Sequence, residues 1–144
     1  MARPNVFLDS SVLIAAALSF RGGSCYILNT LDHEYEFFIN EYVLDEVTRV
    51  LKSKFPDKPF LYSRTLALLC KLDLCILDNP SQQELKPWIK IIDETDVPIL
   101  VSAVKFCDYL LTLDNDFFQP EVLTAVLKCK LHILKPQEFI QGHN

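Results

Sequence analysis

Glycine is scarce in this chain, with three in 144 residues, and half of all residues are hydrophobic. That balance excludes a flexible or disordered polypeptide and provides for a buried core. Long apolar runs are missing too. The best, residues 97–104, falls well short of the ~20 residues that a membrane-spanning helix requires. There is no C-x-x-C pair. Cys25, Cys70, Cys75, Cys107 and Cys129 are scattered and odd in number, which points to reduced thiols packed in the core rather than a disulfide framework. His33, His132 and His143 stand far apart, so a zinc site has no foundation. The segment Met1-Ala2-Arg3-Pro4-Asn5 passes straight into an apolar run and leaves no room for a signal peptide. The expectation is one domain over residues 1–144, cytoplasmic and without membrane attachment.

What is present begins with charge. The net charge of −5 argues against a polyanionic partner, but the charges are segregated. Arg49, Lys52, Lys54, Lys58, Arg64 and Lys71 fall in one stretch that holds only Asp57 as a counter-charge. The acids gather instead at Asp93-Glu94-Thr95-Asp96 and at Asp114-Asn115-Asp116. A basic stretch of this kind is by itself the mark of an ordinary solvated helix face. Beside an acidic site it is also what a nuclease needs.

Apolar runs alternate with helical periodicity along the chain. Strands are expected at residues 6–8, 37–39, 74–77 and 109–113, with a possible edge strand at 131–134. Helices are expected from residue 12, capped by Ser10 or Ser11, and at 25–31, 41–54, 60–72, 97–107, 120–128 and 136–140. Residues 81–92 read as a short helix or an extended link. Strands separated by helices imply a three-layer α/β/α domain around a mostly parallel sheet of four to five strands. Ligands of such sheets bind beyond the carboxyl ends of the strands, where Asp9 and Asp114 both fall.

Four acids stand out for that reason. Asp9 follows Val6-Phe7-Leu8 and is equally at home as a turn former or cap. Glu46 borders the apolar stripe Val43, Val47, Val50 and Leu51, whereas Asp45 points to solvent. Asp96 precedes a helix, where an acid also complements the helix dipole. Asp114 closes the run 109–113, with Asp116 two residues on. Convergence of such carboxylates is electrostatically unfavourable without a hard divalent cation, and Mg²⁺ or Mn²⁺ suits oxygen ligands. The expectation is a metal-dependent enzyme acting on phosphate.

These segments resemble the PIN-domain ribonucleases, many of which are toxins of bacterial and archaeal toxin–antitoxin pairs. Val6-Phe7-Leu8-Asp9-Ser10-Ser11-Val12-Leu13-Ile14 is similar to the family's first motif, and Val43-Leu44-Asp45-Glu46-Val47 to its helix-borne glutamate motif. Asp93-Glu94-Thr95-Asp96-Val97-Pro98 resembles the third motif, and Leu113-Asp114-Asn115-Asp116-Phe117-Phe118 the fourth. Leu113 and Pro98 depart from the usual residues, and neither departure removes an acid. The resemblance implies a homodimer that cleaves single-stranded RNA, with a possible antitoxin protein as partner. It implies one or two Mg²⁺ or Mn²⁺ ions held by Asp9, Glu46, Asp96 and Asp114, with Asp116 auxiliary, activating water for in-line attack. Ser11 and Thr112 are accessory candidates that orient a ligand or water.

Three rival readings make different demands on the sequence. A catalytically inactive PIN-like module binding RNA or protein would be marked by a lost acid. A phospho-acceptor signalling domain wants a lysine after a late strand, whereas Lys128 and Lys130 follow a helical stretch. An aspartate-nucleophile phosphatase wants Asp-x-Asp after the first strand, and Asp9-Ser10-Ser11 lacks the second aspartate.

Overall fold

A computed structural model describes residues 2–142; Met1, and His143 of the histidines set aside above, lie outside the described residues. Five strands form one sheet: β1 (Asn5–Leu8), β2 (Glu36–Asn40), β3 (Cys75–Leu77), β4 (Tyr109–Leu111) and β5 (His132–Leu134). Their order is β3-β2-β1-β4-β5, and every pairing is parallel. The centre of the sheet is apolar without alternation. Val6, Phe7, Leu8, Leu110 and Leu111 are all fully buried, as strands covered on both faces require.

The covering helices are the connections between strands. Helices α1 (Ser10–Leu18) and α2 (Gly23–Thr30) lead from β1 to β2, and α3 (Glu41–Lys54) and α4 (Phe60–Lys71) lead from β2 to β3. The short α5 (Gln82–Leu85), two 3-10 turns (Lys86–Trp88 and Glu94–Asp96) and α6 (Val97–Phe106) lead to β4. A 3-10 turn (Asn115–Phe118) and α7 (Pro120–Leu127) lead to β5, and α8 (Pro136–Gln141) follows. The result is a three-layer α/β/α domain. No single helix among the described residues is long and apolar enough to cross a membrane.

Local chemistry explains the boundaries that matter for function. Asn40 ends β2 and caps α3, its Oδ1 accepting from Val43 N at 2.9 Å. Its Nδ2 donates to Pro98 O at 3.1 Å and Ser102 Oγ at 2.9 Å, so one fully buried amide ties α3 to α6. Helix α3 buries Val43, Val47 and Leu51, with Val50 only half-buried, and leaves Asp45 exposed and Glu46 at the border. Lys52 and Lys54 close its last turn, where cations complement the dipole.

Several expectations need correction. Neither Ser10 nor Ser11 caps α1; Asp9 holds the cap position, and its side chain makes no capping bond because it faces the strand ends instead. Strand β4 stops at Leu111 rather than residue 113, since Leu113 N turns to donate to Ser11 Oγ at 3.0 Å. The cysteines are free, but only Cys25 is in the core. Cys75 is exposed because β3 is an edge strand, and Cys70 lies on the outer face of α4.

The topology also fixes where a ligand can sit. Strand β1 is central, with β2 on one side and β4 on the other, and chain direction across the sheet reverses between them. Such a switch point opens a crevice at the carboxyl ends of the strands. Asp9 follows β1, and Asp114 lies just beyond β4.

Candidate metal centre

The crevice holds every acid that the sequence singled out. Asp9, Glu46, Asp96, Asp114 and Asp116 line one open hollow of about 530 Å³, together with Ser11 and Lys54. The cleft has two distinct halves.

The inner half is built around Asp9, which is 3% exposed. Its Oδ2 accepts from Ser11 Oγ and from Thr112 Oγ1, each at 2.7 Å. Thr112 Oγ1 in turn accepts from Asp114 N at 3.0 Å, and Asp9 N donates to Leu111 O at 3.0 Å. The ends of β1 and β4 are thus stitched together through hydroxyls, and Asp9 is held in one orientation. Glu46 joins this half through Ser10, whose hydroxyl donates to Glu46 Oε1 and lies 3.4 Å from Asp9 Oδ1. The other Glu46 oxygen, Oε2, pairs with Arg49 at 3.6 Å. Burial is the main force raising the Asp9 pKa above its usual value; the Thr112 and Ser11 hydrogen bonds oppose it, and the nearby Glu46 charge adds to it.

The outer half is open. Oxygen atoms of Asp96, Asp114 and Asp116 all lie within 4.8 Å of one another, with Asp96 and Asp114 half-buried and Asp116 exposed. Asp114 is oriented by its own turn, Oδ1 accepting from Asp116 N at 2.9 Å. The pKa of Asp96 rises to about 7, first through desolvation and then through the charges of Asp114, Asp9, Asp116 and Asp93. Its neighbour Asp93 has a different task. That carboxylate accepts from Thr95 N and Thr95 Oγ1, both at 3.0 Å, and so caps the 3-10 turn that presents Asp96.

These donors fit a hard divalent cation. Ligands of a six-coordinate Mg²⁺ stand about 3 to 4 Å apart, and these three oxygens, all within 4.8 Å of one another, are near that span. Asp9 and Glu46 border that triad without belonging to it. Two further residues shape the site without being expected there. Ser10, expected as a cap, instead links Asp9 to Glu46. Asn40 positions α3, which carries Glu46, and α6, which follows Asp96; its place between an apolar strand and an amphipathic helix is the available signal.

No curated protein matches the chain. Among solved structures, it is similar to that of VapBC2 from Rickettsia felis bound to a DNA fragment from their promoter, with a TM-score of 0.64 and 21% identity over 91% of this chain and 99% of that one. That likeness establishes the fold. The PIN-domain family model matches residues 5–116, a span that carries all five acids of the cleft. The chain therefore belongs to the PIN-domain family, a family of nucleases.

Proposed function

We propose that this protein is a divalent-metal-dependent endoribonuclease that hydrolyses phosphodiester bonds of single-stranded RNA, and that it is the toxin of a toxin–antitoxin pair. One observation carries the reading: Asp96, Asp114 and Asp116 converge, with Asp9 and Glu46 beside them, at the switch point of the sheet. Mg²⁺ or Mn²⁺ bound there supplies Lewis-acid polarisation of the phosphoryl oxygens and a low-pKa water.

The chain's own residues supply the rest. Asp96 and Asp114 serve as principal ligands, and Asp116 completes the set from the solvent side. Asp9 stands behind them as a fixed acceptor; Ser11 and Thr112 fix its orientation and therefore the orientation of whatever it coordinates. Glu46 reaches the cleft from α3, its position set by Ser10 and Arg49. Lys54, on the wall of the same hollow, is a cation suited to a phosphate flanking the scissile bond.

A protein partner is part of this reading. Its support is the similar fold of the VapBC2 structure and an exposed aromatic patch on this chain. Leu18, Phe20 and Phe60 are 47%, 67% and 52% exposed, with Arg64 lying over both phenyl rings at 4.2 and 5.3 Å. Burial of that patch by an antitoxin, and pairing into a homodimer, follow as parts of the proposal.

The test combines calorimetric titration with Mn²⁺ or Mg²⁺ and cleavage of a mixed single-stranded RNA, on wild type and Asp9→Asn. Metal-dependent cutting that disappears in the variant is expected. Undiminished cutting by Asp9→Asn would remove this aspartate from the mechanism. Absence of metal binding would favour the non-catalytic PIN-like module, the second reading.

A further inference from the structure

A second hollow adjoins the acidic one. It measures about 600 Å³ and lies between the α1–α2 junction and α8, walled by Ala15, Ser19, Ser24, Leu113, Gln137 and Ile140. Ala15 lines both hollows, and Leu113 of this one donates its N–H to Ser11 Oγ of the acidic one, so the two spaces lie side by side. Its floor depends on Gly23: a Cβ there would lie 3.2 Å from Ile140 Cδ1, so glycine lets the first turn of α2 rest against α8. Helix α8 belongs to residues 117–142, beyond the span that the family model matches.

The chemistry of the walls is selective. No charged side chain lines the space, in contrast to the acidic hollow beside it. Ser24 lines the space, 5% exposed, and its hydroxyl can both donate and accept. Gln137 is exposed and carries an amide, a donor and an acceptor side by side. Leu113 and Ile140 add apolar surface. A site without cations is a poor seat for a phosphate. It suits a flat, uncharged ring whose edge offers both donors and acceptors, and an amide can pair with two edge atoms of a base at once.

We propose that this hollow seats one nucleobase flanking the phosphodiester held at the acidic cleft, with Ser24 and Gln137 reading its edge. This rests on the nuclease reading, and it makes the junction of α2 and α8 the specificity-determining region of the enzyme. The backbone passes over Leu113, and the base turns away from the acids into the neutral hollow.

The test uses the full chain and fluorescein-labelled ribopentamers of A, C, G and U. Anisotropy is measured for wild type, Ser24→Ala and Gln137→Ala, with and without Mn²⁺, and each sample is then run on a denaturing gel. Wild type should favour one pentamer by roughly tenfold, the discrimination a good two-point base contact gives. Each variant should narrow that preference to about threefold or less. Equal affinity of wild type for all four pentamers, or an unchanged preference in both variants, overturns the proposal and leaves the hollow to a protein side chain. Gln137 is exposed, so Gln137→Ala keeps the test open even if Ser24→Ala fails to fold. No cleavage in any lane would defeat the nuclease reading, while the binding preferences would still decide the role of the hollow.

Discussion

Asp9 and Asp114 occupy comparable places, each at the carboxyl end of a central strand, yet the protein treats them differently. Asp9 is 3% exposed and accepts two hydroxyl hydrogen bonds, whereas Asp114 shares an open triad with half-buried Asp96 and exposed Asp116. In the inner half, burial disfavours the charge of Asp9, and the Thr112 and Ser11 hydroxyls only partly offset it. The outer half is a group of acids with little to separate them except water or a cation. The same side chain therefore serves two purposes, and burial with local donors decides which. A hydroxyl-held acid beside an open group of acids gives the cleft one fixed wall and one face that substrate can approach.

The largest effect should come from removing acids of the outer triad one at a time. Asp96→Asn should abolish Mn²⁺ binding and reduce RNA cleavage by more than roughly 100-fold, beyond the loss typical of residues that only support ligands. Asp116→Asn should cost about tenfold, because Asp116 is exposed and free to be replaced by water. Initial rates on one RNA at saturating Mn²⁺ decide this. Equal losses in the two variants would erase the distinction between principal and auxiliary ligand.

Proton competition should come next in size. Asp96 must lose its proton to bind metal, and its pKa stands at about 7 in the metal-free protein. The apparent Mn²⁺ affinity should then fall by roughly tenfold for each pH unit below 7, with a proton released on binding near neutrality. Calorimetry in two buffers of different ionisation enthalpy reads that proton directly. The sign for folding is opposite to that of an ordinary ion-paired carboxylate. A raised folded-state pKa means that the native state binds more protons than the unfolded chain between about pH 4 and 7. On account of Asp96, the metal-free protein loses stability as pH rises through that window, and added Mn²⁺ restores it. A melting temperature that climbs with pH in the absence of metal would contradict this.

Both halves hang on one residue outside them. Asn40 caps α3, which carries Glu46, and brackets α6, whose first turn follows Asp96. Asn40→Ala removes a cap and leaves Pro98 O and Ser102 Oγ without their donor, so a loss of about 1–3 kcal/mol is expected from denaturant unfolding. The loss should be accompanied by weaker metal binding. Lost stability with unchanged Mn²⁺ affinity would show that the outer triad is held without the α3–α6 bracket.

The contrast between halves also explains how much was legible in the sequence. The parallel sheet was visible because short uninterrupted runs such as Val6-Phe7-Leu8, alternating with helical stretches, read as strands covered on both faces, and α3 because its apolar stripe repeats at helical spacing. The acids were visible as strand-terminal or stripe-bordering carboxylates. The division of labour among them was not. It depends on Ser10, Ser11 and Thr112 meeting across two strands about a hundred residues apart, a register that only tertiary packing sets. The exposure of Cys75 was hidden for a related reason: β3 reads as apolar but lies at the sheet edge, and edge position is a property of strand order.

The smallest effect separates the halves most finely. Arg49 is 69% exposed and meets Glu46 Oε2 at 3.6 Å, so the pair is a surface bridge worth roughly 0–1 kcal/mol. Arg49→Gln should therefore leave the unfolding midpoint almost unchanged. It should nevertheless alter the inner half, because Glu46 would be held by Ser10 alone and its second oxygen freed toward the cleft. If Glu46 contributes to cation binding, Mn²⁺ affinity should rise about two- to fivefold in Arg49→Gln at low salt, where loss of a nearby positive charge is least screened. The gain should shrink as salt is added and vanish in Arg49→Gln/Glu46→Gln. An affinity that does not respond would confine the cation to Asp96, Asp114 and Asp116 and leave Glu46 to shape the cleft without holding metal.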